Sequence, residues 1–340
     1  MKNLKYFYGS FFITFLGLAI GVFFYPTNPL AIIYSILILA ILEISLSFDN
    51  AVINAKILGQ MPKKWQKAFI FIGLPIAVFG MRLIFPILLV SISSDINFHK
   101  VINLALHNPE EYQLILEHSM PYICSFGGSF LLMVFLNFFL SENEGHHWIP
   151  LIENNILTRK IRDYNGGYIL FAVFVGLILI YNSENNLQGS LAIAYILGIV
   201  VHESIGLLNS FFDTPQISSS NIVRNGLMGF IYLEIIDASF SFDGVVGAFA
   251  ISTNIIIIMI GLGIGAMFVR SLTILFVEKK TLAKYIYLEH GAHYAIGFLA
   301  AILLLKVFIH IPEWFSGSIG IIILTISFIH SILSNNKLNQ

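Results

Sequence analysis

Six carboxylates fall inside stretches that are otherwise apolar: Glu43, Asp49, Glu203, Glu234, Asp237 and Asp243. Their spacing repeats. Leu42-Glu43-Ile-Ser-Leu-Ser47-Phe48-Asp49-Asn50-Ala-Val lines up with Ile236-Asp237-Ala-Ser-Phe-Ser241-Phe242-Asp243-Gly244-Val-Val, so Glu43 superposes on Asp237, Ser47 on Ser241 and Asp49 on Asp243. On a regular helix Glu43, Ser47, Asn50 and Asn54 share one polar stripe, and Glu234, Asp237 and Ser241 share its counterpart. Asp49 and Asp243 stand about 120° away from those stripes at ~3.6 residues per turn. Either each Asp addresses a different neighbour, or the helix unwinds at Ser-Phe-Asp-Asn and at Ser-Phe-Asp-Gly. Gly244 and the small polar residues favour unwinding, and broken helices often frame ion sites.

The chemistry open to such a set is cation binding. Carboxylate, hydroxyl and carboxamide oxygens are hard ligands that suit Mg²⁺, Ca²⁺ or Mn²⁺. A charged acid facing lipid costs about 2.5–3.5 kcal/mol, so these acids must face a bundle interior, pair with cations or be protonated. Arg82 and Arg270 are the only arginines within the apolar stretches, too few for six acids, and an exogenous cation would complete the balance. Their placement before Glu117-His118 and Glu289-His290 suggests structural Arg82–Glu117 and Arg270–Glu289 pairs. His202, beside Glu203, is as well suited to helix packing as to ligation or proton carriage. Glu203 has the stronger functional case, because burying an acid costs more than burying neutral imidazole. His146 and His147, near Glu142 and Glu144, read as an exposed polar loop rather than a metal site. One cysteine, Cys124, makes neither an internal disulfide nor a thiolate site, and no His-Glu-x-x-His motif points to a zinc enzyme.

The elements that must position these residues follow from composition. Of 340 residues, 57% are hydrophobic and 11% charged, with a mean hydropathy of +0.84. A soluble domain carries about 25% charge, so lipid is the solvent that fits. A net charge of -1 offers no general attraction to nucleic acid. Apolar runs long enough to span a bilayer fall near 9–25, 29–54, 67–92, 119–140, 166–182, 188–212, 226–252, 254–277, 287–309 and 315–334. Lys2 and Lys5 before the first run also fit a signal peptide, but Val22-Phe23-Phe24-Tyr25-Pro26 lacks the small residues of a cleavage site, so that span is expected to stay. Threading ten spans from a cytoplasmic N-terminus puts most lysines and arginines inside, from Lys63, Lys64 and Lys67 to Arg159, Lys160, Lys279 and Lys280; only Lys100 and Lys306 fall outside. The C-terminus is then cytoplasmic, 93–118 external and 141–165 internal.

The likeness extends beyond the acidic motifs. Gly73 to Arg82 aligns without a gap against Gly261 to Arg270, and Leu116-Glu117-His118 with Tyr122 against Leu288-Glu289-His290 with Tyr294. Three matches in one order indicate a duplicated three-helix unit. By the charge map the two copies run in opposite directions through the membrane, an arrangement typical of secondary transporters. The expected fold is all-α: a polytopic membrane bundle of about ten spans, one integral membrane domain over 1–340, with inverted three-helix repeats at 29–140 and 226–309 and connecting spans at 166–212. No nucleotide-binding motif is present, so ATP is not expected as a direct partner. An intramembrane hydrolase is disfavoured, since the acids form two symmetric sets rather than one dyad, and no enzymatic activity is expected.

Glu43 through Asn54 and Asp237 through Ala250 resemble the paired acidic motifs of the TerC family of integral membrane proteins, and the chain is similar to a longer, uncharacterised branch of it. The likeness covers about residues 30 to 310. The family sits within a wider group of LysE-type exporters and is linked to tellurium resistance and, in several members, to Mn²⁺ export and metal delivery to exported enzymes. The resemblance implies metal contacts at Glu43, Asp49, Asn50, Asp237 and Asp243, with Ser47, Ser241 and Glu234 in support; Glu203 and His202 are candidate supporters from their own place in an apolar run. It also implies residence in a bacterial inner membrane and Mn²⁺ as substrate rather than as a permanent cofactor. The chain departs from shorter relatives in its 93–118 segment and in His202-Glu203 on an added central span. Two functions follow as expectations: export of a divalent cation, or a non-transporting scaffold that hands metal to exported proteins, with protein-translocation partners.

Overall fold

The computed structural model describes residues 4–26, 28–94, 96–140, 147–164, 166–212, 226–249, 251–252 and 254–338; within these, some side chains, including those of Ser241 and Asp243, lie outside the description. Its regular elements are helices, with no strand among the described residues. After a short 3-10 turn at Leu4–Phe7 come α1 (Tyr8–Phe24), α2 (Pro29–Leu46), α3 (Phe48–Gln60), α4 (Lys63–Phe71) and the one-turn α5 (Gly73–Pro75). A π-helical stretch, Ile76–Ile84, leads into α6 (Phe85–Ser93), α7 (Phe98–His107) and the long α8 (Pro109–Leu140). Short α9 (Pro150–Glu153) and α10 (Ile156–Asp163) precede α11 (Gly167–Tyr181), α12 (Gln188–Phe212), α13 (Gly226–Phe249) and α14 (Ile255–Glu278). One-turn α15 (Thr281–Lys284), α16 (Leu288–Lys306) and α17 (Glu313–Leu338) complete the order.

Among the described residues, six helices are long and apolar enough to cross a membrane: Leu4–Phe24, Pro29–Leu46, Lys63–Ile84, Pro109–Leu140, Ile255–Glu278 and Leu288–Lys306. Gly167–Tyr181 and Ser318–Ser334 are shorter apolar helices. Large apolar side chains point outward along them, among them Phe15 and Phe23 on α1 and Leu177 and Tyr181 on α11. Such a surface suits lipid and not water. This is the sequence expectation of a multi-pass helical membrane protein at its coarser level.

The chain groups into two compact units. Unit 1 takes Met1–Ser119, Ile217–Lys279 and Pro312–Ser318; unit 2 takes Met120–Gln216, Lys280–Ile311 and Ile319–Gln340. In unit 1, α14 is the central helix, packed on α1, α2, α3, α13 and the π stretch. Glycines make that closeness possible. Gly261 and Gly265 stand one turn apart on α14 and meet Leu39 and Glu43, one turn apart on α2. A Cβ at Gly265 would fall 2.5 Å from Glu43 Cβ and 2.7 Å from Ala40 O. Small residues at four-residue spacing let membrane helices approach backbone to backbone, and here they fix where Glu43 sits.

The run expected at 29–54 is broken at one residue. Ser47 separates α2 from α3 with φ -106 and ψ 16, yet its N–H still donates to Glu43 O at 2.9 Å and its carbonyl accepts from Ala51 N at 3.2 Å. The unwinding expected at Ser-Phe-Asp-Asn is thus a single irregular residue. The matching expectation for Ser241-Phe242-Asp243-Gly244 is wrong: α13 runs unbroken from Gly226 to Phe249. Gly244 serves close approach there, not unwinding, since a Cβ on it would stand 3.0 Å from Glu43 Oε2. The π stretch, flanked by Pro75 and Pro86, is a second irregularity. Each proline removes an N–H from the helical ladder, and the wider turn carries Arg82.

Gly265→Ala should lower stability by about 1–3 kcal/mol, the usual cost of overpacking a tight contact. Gly59→Ala, with nothing within 4 Å of its added Cβ, should be neutral or stabilising by up to ~1 kcal/mol because alanine favours the helix. Thermal unfolding of the two variants in detergent checks the contrast.

Candidate functional site

Three acids of unit 1, Glu43, Glu234 and Asp237, are buried and gather around two arginines. Glu43, at the last turn of α2, is 1% exposed. Its Oε1 accepts from Ser47 Oγ at 2.8 Å and from the Arg82 guanidinium. Arg82 Nη1 donates to Ala77 O at 2.7 Å, so the π stretch supplies both the arginine and the carbonyl that steadies it. Arg270, on α14, donates through Nη2 to both oxygens of Glu234 at 3.3 Å and to Asp237 Oδ2 at 3.5 Å. Its Nη1 donates to Phe69 O at 2.6 Å, and the guanidinium lies 4.2 Å over the Phe69 ring. Gly73 leaves the room this pair needs, as a Cβ there would stand 2.5 Å from Glu234 Oε1 and collide with Arg270 Nη1.

The arginine partners differ from the sequence expectation. Arg82 pairs with Glu43 rather than Glu117, and Arg270 with Glu234 and Asp237 rather than Glu289. Burial is the reason. Leaving a buried carboxylate without a cation is among the costliest defects a bundle can hold, whereas Glu117 is exposed and accepts from Gln113 Nε2 at 3.0 Å. The alignment still has meaning, because Arg82 and Glu43 align with Arg270 and Asp237. Aligned arginines meet aligned acids.

One contact joins the two motifs. Asn50 Nδ2, in the first turn of α3, donates to Asp237 Oδ1 at 2.6 Å across 187 residues of sequence. Asp49 is buried in that same turn, where its charge suits the helix N-terminus. Its Oδ1 accepts from Asn50 N at 3.0 Å, and it has no ion pair among the described residues. Three hard oxygens are buried without a hydrogen-bond partner: Glu43 Oε2, Asn50 Oδ1 and Asn54 Oδ1. Glu43, Asn50, Asn54 and Asp237 are thus buried in unit 1 with Glu234, as the helical stripes required. The side chains of Asp243 and Ser241 lie outside the described residues; Gly244 shows the second motif's backbone passing beside Glu43 Oε2.

Four described carboxylates, Glu43, Asp49, Glu234 and Asp237, are buried in unit 1 with two guanidinium groups, and Lys56 on α3 is half-buried. Among the buried described groups, the acids thus exceed the arginines by two. Among the described residues no group of three or more His, Cys, Asp or Glu side chains is arranged to hold a metal ion. Arginine, not a neighbouring acid, is the immediate partner of Glu43 and Glu234, while Asp237 is met by Asn50 at 2.6 Å and by Arg270 at 3.5 Å.

Unit 2 holds separate polar sites. His202 is buried, its Nδ1 3.0 Å from Glu203 Oε1, and Tyr168 OH donates to the two Glu203 oxygens at 3.2 and 3.4 Å. Glu153 was not among the expected residues, yet it is 2% exposed. It accepts from Trp148 N at 2.9 Å and from Ile149 N and Tyr294 OH at 3.1 Å each. His147 Nδ1 and His290 Nε2 lie 3.4 and 3.8 Å from its Oε2. The signal was present in Pro150-Leu-Ile-Glu153, a proline at a helix start followed by an acid that reaches back to cap it. His147 is therefore part of a folded contact rather than a bare loop; His146, Glu142 and Glu144 lie outside the described residues.

A family described as a protein of unknown function, DUF475, matches residues 48–338. The chain belongs to the DUF475 family. No curated protein and no solved structure matches it. The DUF475 match takes in Asp49, Asn50, Arg82, Glu234, Asp237 and Arg270, while Glu43 lies just ahead of it.

Arg82→Met in this DUF475 chain should cost about 3–5 kcal/mol, because it strands the buried Glu43 charge. The double variant Glu43→Gln/Arg82→Met removes both charges and should cost clearly less than the single one. Unfolding midpoints of wild type, the two single variants and the double variant in detergent test this, and a double variant as damaged as the sum of its parts would exclude coupling.

Proposed function

We propose that this DUF475 protein is a TerC-like membrane transporter that carries a divalent cation, Mn²⁺ foremost, out of the cytoplasm. The observation that carries the reading is the buried charge imbalance of unit 1, two carboxylates in excess of arginine, together with three unpartnered hard oxygens. A divalent ion supplies two positive charges and accepts carboxylate and carboxamide oxygens at once. Mg²⁺ and Ca²⁺ fit the same donor class, and Mn²⁺ is preferred on the family resemblance. Softer ions that need thiolate have no support in a chain whose one cysteine is Cys124.

In this reading Glu43, Asp49, Asn50, Asp237 and Asp243 form the ion site, with Ser47, Ser241 and Glu234 beside them. The ion sheds water as it enters, and the carboxylates and amide oxygens replace that shell. The protein spans the bacterial inner membrane about ten times with both termini in the cytoplasm, as the lysine and arginine placement suggests. The two motif-bearing repeats run in opposite senses and rock against one another to open the site to either side. The irregular residue at Ser47 supports such motion, since it interrupts the helix that carries four of the site's oxygen-bearing residues. Glu203 and His202 are suited to carry a counter-proton. No step is enzymatic and none uses ATP.

A second reading, a membrane scaffold that delivers metal to exported proteins without moving ions, is favoured by the arginines, which already neutralise Glu43 and share the Glu234–Asp237 pair. Mn²⁺ flux into proteoliposomes separates the two. Wild-type protein should transport, and Asp49→Asn and Asp243→Asn should each lower flux at least about tenfold while leaving the fold intact. Full flux in both variants would refute a coordinating role for these carboxylates. Absence of any wild-type flux, with translocation components co-purifying, would favour the scaffold.

A further inference from the structure

Arg82 and Arg270 dock in the same manner. Each sends Nη1 to a backbone carbonyl, Ala77 O at 2.7 Å and Phe69 O at 2.6 Å, and each sends Nη2 to carboxylate. Each leaves its Nε buried without a hydrogen-bond partner. A guanidinium offers five N–H donors in a rigid fork that grips a carboxylate best through two parallel bonds. Neither arginine uses that grip. Arg82 reaches only Oε1 of Glu43, and Arg270 spreads one nitrogen over three oxygens at 3.3, 3.3 and 3.5 Å.

The acceptor side is equally unsaturated. Glu43 Oε2 has no partner although the residue is 1% exposed, and Asn50 Oδ1 and Asn54 Oδ1 have none although these residues are 0% and 1% exposed. A permanent structural latch in an apolar interior would satisfy such atoms, since buried polar groups are strongly selected to be paired. Here donors and acceptors are left over on both sides of the same contact. Each arginine also keeps a second anchor on a backbone carbonyl, so it can release its carboxylate oxygen without leaving its place.

We propose that Arg82 and Arg270 are tethered counter-ions that compete with the transported divalent cation for Glu43 and for the Glu234–Asp237 pair; this rests on the transport reading above. Without a cation the guanidinium groups neutralise the acids they touch and hold the helices together. When the ion enters, each guanidinium retains its carbonyl and yields carboxylate oxygen. Among the described residues, the four buried carboxylates, two guanidinium groups and one divalent ion then carry no net charge. Displacing the arginines weakens binding, and weak binding is what lets an ion leave a site it has entered. The arginines are positioning residues that set affinity; they are not ligands.

Mn²⁺ titrations of the full chain in detergent, read by equilibrium dialysis, test the proposal. Arg82→Gln and Arg270→Gln should each bind Mn²⁺ at least about tenfold more tightly than wild type, because among the described residues the acid they free has no other ion-pair partner. Their proteoliposome flux should fall even so, as release slows. Glu43→Gln/Arg82→Gln removes the pair without a charge change and should lose the gain. Should both single variants fail to fold, infrared difference spectra of the ¹⁵N-arginine wild-type protein, with and without Mn²⁺, decide the question. The labelled guanidinium bands should shift together with the carboxylate bands.

Wild-type binding with glutamine variants no tighter than wild type, or carboxylate bands that move while guanidinium bands stay fixed, would overturn the proposal and leave the transport reading standing. A wild-type protein that neither binds nor transports Mn²⁺ would overturn both.

Discussion

Carboxylates held in an apolar helix bundle are stabilised by a positive charge, and three of the four buried acids described in unit 1 are set against one. Arg82 meets Glu43; Arg270 meets Glu234 and Asp237. The glycines follow from these pairs. Gly265 brings α14 onto α2 at Glu43, Gly244 lets α13 pass Glu43 Oε2, and Gly73 leaves space for the Arg270–Glu234 contact. A side chain at Gly265 would press on the α2 backbone, and one at Gly73 or Gly244 would displace the acid or guanidinium group it meets. Packing and electrostatics are therefore one constraint here rather than two.

The two motif-bearing segments share pairing but not regularity. Both segments set an arginine against an aligned acid, while both irregularities, the Ser47 break and the π stretch at Ile76–Ile84, fall in the first. The second runs as continuous helices α13 and α14. The aligned segments thus share the charge pairs, which burial enforces, and differ in backbone shape, which depends on local prolines and on what packs alongside. Helix irregularities of the π type occur often at functional sites. The one in unit 1 carries an arginine that contacts an acid of the first motif.

Unit 2 follows the same rule with different chemistry. Glu153 is buried with two backbone N–H groups, a tyrosine hydroxyl and two imidazoles around it, and Glu203 is met by His202 and Tyr168. No arginine or lysine side chain forms a salt bridge with either acid among the described residues. Imidazole, hydroxyl and backbone N–H donors thus hold these acids where unit 1 uses guanidinium.

Length, hydropathy and sparse charge by themselves determined an all-helical, lipid-facing chain, because apolar runs of spanning length have few alternatives in a bilayer. The repeated spacing of Glu43 and Asp237, and of Arg82 and Arg270, was equally legible, since an ionisable residue in an apolar run stands out against its neighbours. Sequence could not choose partners. Arg82 was set beside Glu117 on order along the chain, but contact depends on which helices approach, and that is decided by glycines such as Gly261 and Gly265 whose role appears only when α14 meets α2. The same holds for Asn50 reaching Asp237, for the break that stops at Ser47 and skips Ser241, and for Glu153, whose partners Tyr294 and His290 lie far along the chain. Which acids must be neutralised is a local property of composition and depth; what neutralises them is a distance, and only the tertiary structure sets distances.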